Sequence, residues 1–119
     1  MSKDTGFSIT SAERYSLALY ELSTESSVTA QIEEQSLSIL KLLEQSKDFS
    51  NLIKDPTTSQ DDLLKVVNTI SENYKFDQLL KNFLSFLIQK RRFFFVERIL
   101  KSFIEICSEK RGELKAELK

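Results

Sequence analysis

Lys90-Arg91-Arg92 followed by Phe93-Phe94-Phe95 is the run in this chain where cations and aromatic rings stand side by side, the combination that grips phosphates and stacks bases of single-stranded nucleic acid. A second reading is simpler. Consecutive phenylalanines on a helix fan out by about 100° each, so one enters a core and another staples a bend. The cations then sit at the negative C-terminus of the preceding helix. The 17 basic residues are matched by 18 acidic ones, so no general attraction to phosphate backbones or anionic lipid exists. No nucleic-acid partner is expected.

Other chemistry finds few residues to carry it. The chain has no histidine for proton transfer or metal ligation, and its one cysteine, Cys107, stands without a partner base. Gly6 and Gly112 are the only glycines, so no glycine-rich phosphate loop can form. Glu33-Glu34 and Asp61-Asp62 are adjacent pairs that diverge by about 100° on a helix; they read as a solvated face and a helix N-terminus. Cys107 lies among Phe103 and Ile106 and reads as a small core residue. Neither catalysis nor a cofactor or metal is expected, which leaves recognition between surfaces.

The elements that would position such a surface follow from composition. A chain of 119 residues can bury a core without disulfides or metals. With 40% apolar residues, two glycines and one proline, it is too hydrophobic for disorder and too poor in turn formers for an all-β fold. An all-α domain follows. A single cysteine forms no internal bridge, and MSKDTGFSIT shows no charged-then-apolar leader, so a reducing, cytoplasmic setting is expected. The longest unbroken apolar run, Phe93 to Val96, falls far short of the ~20 residues of a membrane span. Direct membrane insertion is not expected.

Along the chain, Thr10-Ser11-Ala12-Glu13 has the form of a capping box and opens a first helix over Ser11 to Leu22. Ala12, Tyr15, Leu19 and Leu22 mark its buried face, with Ala18 at the edge. Ser23 to Ser27 breaks the pattern. A second helix over Val28 to Gln45 turns Ile32, Leu37, Ile39, Leu40 and Leu43 inward, and Asp48 to Ile53 adds a short helical turn. Pro56 separates elements. A further helix from Ser59 to Asn73 presents Leu63, Leu64, Val66, Val67 and Ile70. The last, from Arg92 onward, has Phe95 or Val96, Ile99, Phe103 and Ile106 on one face, beside Leu100 and Cys107. About six helical pieces result, a six-helix bundle, with residues 1–107 as its domain. From Ser108 to Lys119 the sequence turns charge-rich and reads as the start of a linker or further helix.

Between these lies FDQLLKNFLSFLI, Phe76 to Ile88, the most informative stretch. Leu79, Phe83 and Leu87 mark one line; Leu80, Leu84 and Ile88 widen it on one side and Phe86 on the other. The apolar arc reaches about 200°, against ~100° for an ordinary surface helix. Either the helix is buried in the middle of a bundle, or part of its arc is a groove awaiting a partner helix.

Arg14-Tyr15-Ser16-Leu17-Ala18-Leu19-Tyr20 resembles the RYAxALY-type first helix of the delta subunit of rotary F-type ATP synthases, called oligomycin-sensitivity-conferring protein in mitochondria. Three further stretches agree in order. Asp55-Pro56-Thr57-Thr58-Ser59 is similar to the family's Asn-Pro-x-apolar-Ser turn. Asn82-Phe83-Leu84-x-Phe86-Leu87 is similar to its NFLxLL helix, and Arg92-Phe93 with Ile99-Leu100-Lys101-Ser102-Phe103 to its arginine-led last helix. Asp55, Thr58 and Lys90-Arg91 depart from the family pattern, the last pair replacing a common Asn-Gly.

The resemblance implies a six-helix N-terminal domain whose first and fifth helices form a groove for the amphipathic N-terminal helix of an alpha subunit. It further implies a non-catalytic stator subunit that links the catalytic head to the peripheral stalk in proton-driven ATP synthesis. The stalk contact would be made by a C-terminal domain absent from this chain. The expected location is the cytoplasmic face of a bacterial inner membrane, or the mitochondrial matrix face. On the helical wheel, Tyr15, Ala18 and Leu22 share one edge of the first helix, and Leu79, Asn82, Phe83 and Phe86 one side of the fifth. These seven are the expected partner-binding residues, with Phe83 and Leu22 equally open to a purely core role. The alternative is a stand-alone helical adaptor or regulator that binds another amphipathic helix or self-associates through the wide arc.

Overall fold

A computed structural model describes residues 11–118. Among the described residues there are six α-helices and no strand: α1 (Ala12–Glu25), α2 (Thr29–Gln45), α3 (Lys47–Lys54), α4 (Gln60–Tyr74), α5 (Gln78–Gln89) and α6 (Val96–Leu118), with a 3-10 turn at Phe93–Phe95 before α6. The all-α six-helix architecture expected from composition and periodicity is present. Thr10 lies outside the described residues. Ser11 is helical (φ −69°, ψ −40°) and its side chain makes no cap bond.

Helix starts are fixed by short polar side chains that accept from otherwise orphaned amides. Ser46 accepts from Phe49 N–H at 3.1 Å to open α3, Ser59 from Asp62 N–H at 3.1 Å to open α4, and Asp77 from Leu79 N–H at 2.9 Å to open α5. Asp55, before Pro56, is extended (φ −81°, ψ 114°), as the proline ring requires. Thr57 donates to the Asp55 carboxylate from both its amide and its hydroxyl, at 2.9 and 2.7 Å, and these bonds hold that carboxyl below its ordinary range. Thr58, polar where the family pattern is apolar, donates its hydroxyl to Leu52 O at 2.9 Å.

Helix ends are unusual. With no glycine available, Ser27, Lys75 and Arg91 take the left-handed conformation (φ 60°, 56° and 60°). In each case the next residue's amide reaches back five positions: Val28 to Ser23 O, Phe76 to Ser71 O and Arg92 to Leu87 O, at 2.8, 2.9 and 2.7 Å. These are Schellman closures. Arg91 occupies the place where the family pattern has glycine, and its positive φ supplies the physical reason for that glycine.

The core gathers around α6, on which α1 and α2 both pack, while α4 packs on α5. Val96, Ile99, Leu100, Phe103 and Cys107 of α6 are fully buried with Leu19, Ile32, Leu80, Leu87 and Ile88. The buried line of α1 runs through Ala12, Ser16, Leu19 and Ser23, so Tyr15 and Leu22 do not share it as periodicity suggested. Ser16 takes the inner position because a small side chain lets two helix backbones close up: its Oγ lies 2.7 Å from both Ala12 O and Ile99 O, within reach of either carbonyl. Leu37, expected inside, is 50% exposed, and Ile106 is only half-buried because Cys107 holds the inward position. Across the top of α6, Arg111 grips Glu33 of α2 through two bonds of 2.6 and 3.0 Å. Burial pushes the Cys107 thiol beneath this pair up to about 11, so it stays protonated and unreactive at neutral pH.

Candidate helix-binding groove

α1 and α5 touch only lightly, and between them opens a groove of about 450 Å³. Its lining consists of Tyr15, Ala18 and Leu22 from α1 and Leu79, Asn82, Phe83 and Phe86 from α5. All seven residues singled out from the sequence are brought together there. Phe83 is 5% exposed and forms the floor. Leu22 and Phe86 are 47% and 41% exposed and form opposite walls, so Leu22 is no core residue. Tyr15 and Leu79 are half-buried, and Ala18 and Asn82 are exposed.

The wide apolar arc of α5 thus divides. Leu80, Leu84, Leu87 and Ile88 are core, whereas the edge carrying Leu79 and Phe86 opens on the groove. Asp77, which caps α5, also donates its own amide to Gln35 Oε1 at 2.9 Å, and Gln60 Nε2 donates to Ile88 O at 2.9 Å. Both ends of α5 are therefore tied to neighbouring helices by hydrogen bonds.

Within the groove the Tyr15 and Phe86 rings meet at 6.1 Å between centroids, tilted by 59°, within the range of favourable aromatic pairs. Lys90 Nζ lies 5.7 Å from the Phe86 centroid, a cation over the aromatic face at one end of the groove. Sequence reading placed Lys90 at a helix junction and missed this contact; its i,i+4 spacing from Phe86 was the available signal. Asn82 Oδ1 accepts from Gln78 Nε2 at 2.9 Å, another i,i+4 pair on the rim. The Phe93-Phe94-Phe95 run is no open stacking ladder. Phe93 is 3% exposed, Phe95 is half-buried edge-on to Phe94 at 5.1 Å, and Phe94 alone is 49% exposed.

The groove is largely apolar and holds two half-exposed large side chains, Leu22 and Phe86. The fold is an all-α six-helix domain with an open apolar groove between α1 and α5. The family model of the ATP synthase delta (OSCP) subunit matches residues 12–119, and the chain belongs to that family. It is 61% identical over 118 residues to the ATP synthase subunit delta of Pelagibacter ubique (strain HTCC1062), covering 99% of this chain and 64% of that protein. To the subunit delta of Chelativorans sp. (strain BNC1) it is 35% identical over 107 residues, covering 90% of this chain and 58% of that protein. The chain therefore spans about three-fifths of the length of the curated relatives it matches. A chain in the cryo-EM structure of the Toxoplasma gondii mitochondrial ATP synthase hexamer superposes with a TM-score of 0.73 at 25% identity, covering 77% of this chain and 51% of that one.

Proposed function

We propose that this chain is the head-binding part of a non-catalytic stator subunit of F-type ATP synthase, and that its α1–α5 groove receives the N-terminal helix of an alpha subunit. The observation that carries the reading is the groove itself. Its apolar walls are the residues that the resemblance implies, and Leu22 and Phe86 stay half-exposed in the absence of a partner. An isolated soluble domain gains nothing from leaving such side chains uncovered.

The mechanism is mechanical. A rotor turning inside the catalytic head delivers torque to it, and the head must be tied to a static stalk for that torque to do work on bound nucleotide. The domain supplies the tie at the head, and a C-terminal domain beyond this chain supplies the contact with the peripheral stalk. On this reading residues 1–107 are the head-binding domain and residues 108–119 lead toward the second. No described helix is long and apolar enough to cross a membrane. The subunit works peripherally, on the cytoplasmic face of a bacterial inner membrane or on the matrix face in mitochondria. A helix seated in the groove that buries about 1,200–2,000 Å² in total reaches nanomolar affinity when its central anchors are well packed.

Calorimetric titration with a peptide of about 20 residues, the helix length of roughly 30 Å, from the N-terminus of the same organism's alpha subunit tests this. One-to-one binding is expected. Absence of binding by a folded, monomeric domain contradicts the clamp, and stable self-association through the same face favours the adaptor reading.

A further inference from the structure

The charges around the groove are not evenly spread. α1 enters the groove where α5 leaves it, since Tyr15 lies near the start of α1 and contacts Phe86 near the end of α5. At that end stand Lys90, over the Phe86 ring, and Arg14. Arg14, Glu21 and Glu25 stand four residues before and three and seven residues after Ala18, hence on the shoulder of α1 that bounds the groove. All are exposed. Arg14 and Lys90 thus mark the Tyr15–Phe86 end, while at the Leu22–Leu79 end Glu21 and Glu25 outnumber the one cation that precedes α5, Lys75.

The two ends are electrically distinct. Tyr15 and Leu22 are separated by about 10 Å at 1.5 Å per residue, roughly one Debye length in 0.1 M salt. Helix dipoles do not offset this pattern. The positive start of α1 and the negative end of α5 share one end of the groove, so their half-charges oppose each other and leave side-chain charge to decide.

We infer that the groove reads the direction of its bound helix from charge, seating the acidic end of an amphipathic helix at Lys90 and Arg14 and its basic end at Glu21 and Glu25. This rests on the groove being a helix site. The apolar walls supply affinity without a sense of direction, because an apolar stripe fits either way round. The four charges supply the sense. Many helices carry acidic residues in the first turn and basic ones in the last, matching their own dipoles; such a helix lies with its N-terminus beside Phe86, parallel to α1 and antiparallel to α5.

The test uses the chain with the alpha-subunit peptide and two redesigned versions of it. Both keep the apolar residues; one has Glu at exposed positions of its first half and Lys in its second, and the other has the reverse. A nitroxide at the N-terminus of each reports, by paramagnetic broadening of the domain's amide signals, which end of the groove it occupies. The first version is expected to broaden Tyr15, Phe86 and Lys90, and the second Leu22 and Leu79. Reversing Lys90→Glu and Arg14→Glu together with Glu21→Lys and Glu25→Lys should exchange the two patterns. Neutralising Lys90→Gln should weaken binding of the first version by up to about fivefold at low salt, and less at high salt. If both versions place the nitroxide at the same end, or neither binds while the parent peptide does, charge does not set direction and the inference fails alone. If the parent peptide itself does not bind, the helix-site reading fails and takes the inference with it.

Discussion

α1 has two contrasting faces. Toward α6 it presents Ala12, Ser16, Leu19 and Ser23, small residues around one leucine, and the two backbones close until Ser16 Oγ reaches Ile99 O at 2.7 Å. Toward α5 it presents Tyr15, Ala18 and Leu22, and there the helices stay apart over a groove of about 450 Å³. Bulky apolar side chains line the open seam, and a polar hydroxyl seals the closed one. Closeness here follows from side-chain size, not hydrophobicity, and on the proposed reading the open apolar seam takes a third element. The closed seam should govern stability and the open one binding.

The largest effect should come from the closed side. Phe103, fully buried on α6, should cost about 3–5 kcal/mol when changed to alanine, through lost burial and the cavity left behind. Urea unfolding measures this, and a loss under 1 kcal/mol would remove α6 from its central place. On the open side, Phe86→Ala should leave the unfolding free energy within about 1 kcal/mol of the parent, because the ring is 41% exposed. Its affinity for the alpha-subunit peptide should fall about 30-fold, the ~2 kcal/mol of a central anchor. Equal loss of stability and binding would erase the distinction between the two seams.

Ser16→Leu sharpens the comparison from the other direction. Overpacking the closed seam should cost about 1–3 kcal/mol, although the substitution makes the sequence more hydrophobic. Arg91→Gly, at the left-handed closure of α5, should stabilise the domain by about 1 kcal/mol through relief of backbone strain, with peptide affinity unchanged. The smallest effect is a silence. Cys107, raised to about 11 by burial, should resist alkylation at pH 7–8 in the folded domain, and its labelling should be confined to unfolding conditions.

Helix number and order were legible in the sequence for physical reasons, and the groove only through the family resemblance. The periodicity of Ile32, Ile39 and Leu43, the oversized arc of α5 and the single Pro56 each constrain the backbone or its burial strongly. The wheel placed Tyr15 and Phe86 each on one edge of its own helix, and only the family resemblance put those two edges on one groove. The closed seam was not legible, because Ser16 and Ser23 are polar by type and buried by size. Leu37 was misjudged, and Leu22 was left between core and groove, for the converse reason: periodicity counts apolar residues without knowing whether a neighbour covers them. The helix ends at Ser27, Lys75 and Arg91 carry no glycine to announce them. Lys90 over Phe86 was announced only by its i,i+4 spacing, which the helix-junction reading passed over.

The central claim is that the α1–α5 groove is where the partner helix sits, and amide chemical-shift mapping of the labelled domain with the alpha-subunit peptide tests it most directly. The account predicts shifts concentrated at Tyr15, Ala18, Leu22, Leu79, Asn82, Phe83 and Phe86, with the Ser16–Ile99 seam unmoved. Shifts centred on the smaller cleft around Pro56, Leu63 and Phe94, with the groove silent, would contradict it.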